Sequence, residues 1–161
     1  MTTERTIAAL ATAAMPAGVA VIRVSGSLVK QVLATSFQAR KDPVQHPREM
    51  IYGTMQSPSG SQRIDTGLAV FFPGPRSFTG EDCCEFHLHG SPLLAKKFLE
   101  ALWSNGVEPA RPGEFSERAF LNGKIDLLQA EAIADIIEAH SERALAIAQS
   151  QFEGQLSGVL D

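Results

Sequence analysis

The segment EDCCEFHLHG, residues 81–90, packs two cysteines, two histidines and three carboxylates into ten consecutive positions. Such a set could ligate a metal, form a catalytic cluster, or be the polar side of a half-buried strand. Strand alternation puts Cys84, Phe86 and Leu88 on one face and Cys83, Glu85, His87 and His89 on the other. The first face reads as core. On the second, the H-x-H pair can aim two imidazoles at one zinc, yet zinc takes three or four protein ligands. His46 and His140 are distant in sequence, in a connector and a helix. A zinc site on Cys83, Glu85, His87 and His89 therefore stands beside the plainer reading of a polar, pocket-lining face.

Two cations raise related questions. Arg23 interrupts the apolar run VAVIRVSG, and a guanidinium there is costly unless paired. It meets either a carboxylate of the fold or an anionic ligand. Lys124 follows Asn122-Gly123 between a helix end and the next cap, which alone reads as a turn lysine in solvent. The NGKID stretch around it is not a P-loop, because Arg118 and Ile125 stand where Gly and Ser or Thr are required. No other stretch fits that motif, so no nucleoside-triphosphatase site is encoded and the chain alone is expected to be inactive in that chemistry.

These residues need elements to hold them. The chain has 161 residues, 44% of them hydrophobic and 20% charged, and a net charge of −4. That length suits one domain, or one small domain plus an extension, and buries about two-thirds of its unfolded surface. The negative charge argues against a generally basic nucleic-acid-binding surface. Two adjacent cysteines are no disulfide framework and point to a reducing, cytoplasmic setting. The N-terminus mimics a secretory signal, but two strands joined by a Pro16-Ala17-Gly18 turn explain the same residues, and no stretch is long and clean enough to span a membrane.

Residues 6–13 and 18–25 read as strands, 27–37 as a helix, 51–72 as a hairpin around Pro58–Ser61, and 91–106 as an amphipathic helix. Strands with interspersed helices predict an α+β fold on a mixed sheet, to about residue 121. A short helix follows. Then Asp126 and Gln129 set a capping box, and the pattern reads helical almost without a break to Asp161. Roughly 36 residues would span ~54 Å, with an apolar band too broad for the first domain to cover.

PGPRSFTGEDCCEFHLHG and ARPGEFSERAFLNGKIDLLQAEAIADIIEAHSE resemble the two signature stretches of the MnmE (TrmE) family of tRNA-modification GTPases, and GVAVIRVSG resembles its early strand. The resemblance implies a folate-binding and dimerisation domain over residues 1–121, related to the tetrahydrofolate-binding part of the glycine-cleavage aminomethyltransferase. Residues 122–161 would open a helical domain, into which a G domain binding GTP, Mg and K is inserted in the full-length family. It also implies work with an MnmG-type flavoprotein on carbon 5 of the wobble uridine of tRNA, the one-carbon unit coming from a reduced folate. Arg23, Glu85 and Lys124 match the positions that contact 5-formyl-tetrahydrofolate. A folate-independent dimerisation module is the alternative. The chain departs from the family pattern at Met15, Pro16, Ala17 and Ala20, and at Leu88 and Ser91, where Gly is usual.

Overall fold

The computed structural model describes residues 5–160, with side chains described as far as Gly154. In chain order the elements are β1 (Ile7–Leu10), β2 (Val19–Ser25), α1 (Val29–Ser36), β3 (Phe37–Gln38), a 3-10 turn at Pro43–Gln45, β4 (Ile51–Gln56) and β5 (Arg63–Phe72). There follow β6 (Cys83–His89), α2 (Pro92–Trp103), β7 (Glu108–Pro109), α3 (Glu114–Leu121), α4 (Leu127–Glu138) and α5 (Glu142–Leu160). The strands form one sheet in the order β3-β4-β5-β6-β2-β1-β7. All neighbours are antiparallel except β1 and β7, which run parallel, so the sheet is mixed and the class α+β.

Alternation along the central strands sorts two faces. Ala20, Ile22 and Val24 of β2 and Cys84, Phe86 and Leu88 of β6 are buried beneath α1 and α2. Those helices answer with Val29, Val32 and Leu33, and with Ala95, Phe98, Leu99 and Leu102, at helical spacing. Phe86 lies edge-on to Phe98 at 4.9 Å between ring centroids and 6.1 Å from Phe37, and each such buried side chain contributes about 2–3 kcal/mol. The Ser91 Oγ accepts the Leu94 N–H at 3.3 Å and Pro92 opens the first turn, which fixes where α2 starts.

The opposite sheet face carries Arg23, Glu85 and His87. Part of it is roofed by α3 and by the connection between β5 and β6, residues 73–82. Gly113 begins α3 at φ 73°, a left-handed backbone that a side chain resists.

The expected helix from Asp126 is divided. The Asp126–Gln129 capping box is present, but α4 ends at Glu138 and Ala139 takes an extended backbone. The Ser141 Oγ then accepts the Ala144 N–H at 3.1 Å and starts α5, which packs back against α4 as a hairpin. Leu127, Leu128, Ile137 and Ile147 remain more than half exposed, so the band is left uncovered among the described residues. Asp161 lies outside them. No described helix is long and apolar enough to cross a membrane.

Candidate functional site

Register does what the sequence pattern alone could not. β2 and β6 pair so that Arg23 sits directly opposite Glu85. Both Nε and Nη2 of Arg23 donate to Glu85 Oε2 at 3.3 Å, and the pair is partly open to solvent. The other carboxylate oxygen, Oε1, is 3.3 Å from His87 Nε2. The Arg23 guanidinium also lies over two rings, 5.4 Å from the Phe78 centroid and 5.6 Å from the Phe115 centroid. Phe78 comes from the β5–β6 connection and Phe115 from α3. Together with Leu10, Arg111 and Ile137 they line a cleft of about 660 Å³. Arg23 brings a guanidinium and two aromatic faces to this cleft, and Glu85, its partner across the strands, adds a carboxylate beside it; such a set can accept a paired N–H edge, meet an anion and stack a flat ring.

Lys124 does not line that cleft. Its backbone N–H donates to Ala119 O at 2.8 Å, closing the end of α3, and its stem rests on Gly80. Gly80 has φ 84°, and a Cβ there would come within 2.9 Å of Asn122. The Lys124 side chain is exposed and makes no ion pair with a described residue, so the structure joins Arg23 to Glu85 but not to Lys124.

The zinc arrangement does not form. Cys83 is buried, its Sγ 3.1 Å from Thr79 Oγ1 and 3.4 Å from Ser25 Oγ. His89 is exposed at the far end of β6 and bonds Asp65 at 2.9 Å through Nδ1. The pleat spreads these side chains along the strand instead of converging them, and among the described residues no three His, Cys, Asp or Glu could hold a metal. Leu88 is in the core and Ser91 caps α2, so neither of these two departures from the family pattern touches the Arg23–Glu85 face.

Further along the same face lies a charged cluster that the sequence analysis missed. Arg118 of α3 is 2% exposed; its Nη1 donates to Glu81 Oε1 at 2.9 Å and its Nη2 to Glu114 Oε2 at 3.3 Å. Ser25 Oγ donates to the same Glu81 oxygen at 2.9 Å and bonds Thr79 Oγ1 at 2.8 Å. Arg5 adds a bond to Glu114 at 2.7 Å. The cluster ties α3 to β2 and the roofing connection, and so holds Phe115 and Phe78 over Arg23. Spacing of Glu114 and Arg118 by four gave a signal for a helical pair. Their burial gave none, because Glu81 enters from 37 residues away.

Burial tends to raise the Glu114 pKa, but the Arg111 N–H and the charges of Arg5, Arg118 and Arg111 outweigh it and hold the carboxyl below its ordinary 4.5. A depressed carboxylate stabilises the fold fully above its unfolded pKa and loses that contribution as pH falls through the folded one. Urea stability should therefore drop as pH falls below about 4.5, with a flatter acid limb in Glu114→Gln. An identical limb in the variant would count against this. Asp65, also held low despite partial burial by the His89 N–H and imidazole, contributes in the same direction.

Burial, with Cys83 and Glu85 beside it, pushes the Cys84 thiol well above its usual 9.0. Cys83 and Cys84 point to opposite faces of β6 and are both buried, so they are free thiols that face away from each other. A thiol reagent at pH 8 should label neither quickly in the native state and both in urea. Immediate native labelling would contradict the packing.

Residues 6–124 match the family described as GTP-binding protein TrmE N-terminus. The chain belongs to that family. It is 49% identical over 152 residues to the tRNA modification GTPase MnmE of Stutzerimonas stutzeri (strain A1501), covering 94% of this chain and 32% of the relative. The MnmE of Xylella fastidiosa (strain Temecula1) is 50% identical over 94% of this chain and 33% of its own length. That of Akkermansia muciniphila is 44% identical over 98% and 35%. The chain thus spans about a third of the length of the MnmE relatives it matches, and Arg23, Glu85 and Arg118 all lie within the matched region.

Proposed function

We propose that this chain is the folate-binding and dimerising N-terminal part of an MnmE-type tRNA-modification GTPase. Residues 1–121 form the folate domain and 122–161 the start of a helical domain. The observation that carries the reading is Arg23, flanked by Phe78 and Phe115 at the cleft and paired across the strands with Glu85. A pterin offers an N–H and an amino group side by side, which one carboxylate accepts as a pair, so Glu85 takes that edge. The Phe rings suit a flat heterocycle, and Arg23 and Lys124 meet the folate's carboxylates and ring oxygens. The full-length protein would bind GTP with Mg and K, and act with an MnmG-type flavoprotein on the wobble uridine of tRNA in the cytoplasm. This chain would hydrolyse no GTP.

Calorimetric titration of 5-formyl-tetrahydrofolate into the purified chain, with sedimentation to read self-association, tests the proposal. Saturable binding by a dimer is expected. A folded dimer that binds no folate would leave the second reading, a structural dimerisation module, which the mutual satisfaction of Arg23 and Glu85 without a ligand favours.

A further inference from the structure

We propose that His87 is a positioning residue of the Glu85 site, holding the carboxylate in place while a ligand exchanges with Arg23. The inference rests on the folate reading of Glu85. Both donors of Arg23 converge on Oε2, whereas Oε1 is met by His87 Nε2 at 3.3 Å. A pterin's N–H and amino group around one carbon reproduce the planar donor edge of a guanidinium, so ligand and Arg23 compete for the same carboxylate. When Arg23 gives way, Glu85 loses two of the three bonds that orient it. His87 is what remains.

The strand frame suits it to this. His87 stands two residues from Glu85 on the same face of β6, and its neighbours across the ladder are Val21 of β2 and Leu68 of β5. Both are apolar, and Glu85 is its one polar side-chain partner among the described residues. The ionised carboxylate only accepts, so Nε2 carries the proton and donates, with no charge needed on the ring. His89, further along the same face, is turned to Asp65 and does not share the task.

Two variants separate positioning from packing. His87→Leu keeps an apolar volume beside Val21 and Leu68 but removes the donor; His87→Gln keeps an N–H within reach of the carboxylate. In titrations of 5-formyl-tetrahydrofolate, His87→Leu should bind about fivefold to twentyfold more weakly and His87→Gln within about threefold of the wild type. In the unliganded protein the ¹³C resonance of the Glu85 carboxyl should move in His87→Leu and largely return in His87→Gln. Wild-type affinity or an unmoved resonance in His87→Leu overturns the proposal alone. A wild-type chain that binds no folate overturns it together with the reading beneath it.

Discussion

Arg118→Leu is expected to cost about 3–5 kcal/mol of stability, read as a lower urea midpoint at unchanged slope. The side chain is buried and sits between two buried carboxylates, with Nη1 on Glu81 and Nη2 on Glu114. Leucine fills much of the volume, so the loss is electrostatic. Glu114 keeps Arg5 at 2.7 Å, while buried Glu81 loses the Arg118 guanidinium and keeps the Ser25 hydroxyl. Adding Glu81→Gln to Arg118→Leu should recover part of the loss, since one of the two buried negative charges that faced Arg118 is then gone. Arg118→Lys should rescue poorly, because one ammonium cannot fork to two carboxylates as a guanidinium does. A single variant within about 1 kcal/mol of wild type would mean that water reaches the cluster and screens it.

The cluster also marks the limit of what the sequence disclosed. β2 and β6 were readable from their alternation, and α2 from its spacing and its Ser91 cap. The Asp126–Gln129 box was readable because both partners are local. What failed was non-local or lacked the usual punctuation. β3 and β7 are two residues each and exist through pairing with β4 and β1, which no local propensity encodes. The break between α4 and α5 has neither Pro nor Gly; its signal is Ser141 as a cap, weaker than the helix formers on both sides. Arg23 shows the boundary best. Its apolar surroundings said that it must be paired, and only the β2–β6 register said that the partner is Glu85. Burial of Cys83 was misjudged for the same reason: the connection that covers it, through Thr79, is placed by Glu81 and Arg118.

Glu85→Ala should weaken 5-formyl-tetrahydrofolate binding by at least tenfold, and by about a hundredfold if both N–H donors of the pterin edge lose their acceptor, since hydrogen bonds to a charged group are worth about 1.5–3 kcal/mol each. The fold should hold, because the pair it breaks is partly exposed and ion pairs in such settings contribute little, about 0–1 kcal/mol. That contrast with Arg118 is the point of the experiment. Arg118 sits between two buried carboxylates, so its loss is felt in stability; Glu85 sits where solvent can take over in the free protein, so its loss is felt only when a ligand arrives. Glu85→Gln sharpens the argument: one acceptor oxygen survives at the same position, and an intermediate affinity is expected, with Arg23 released from its strand partner to stay between Phe78 and Phe115. If Glu85→Ala binds as tightly as wild type while its midpoint is unchanged, the pterin edge is held elsewhere, and the Arg23–Glu85 pair is a cross-strand tie of the sheet.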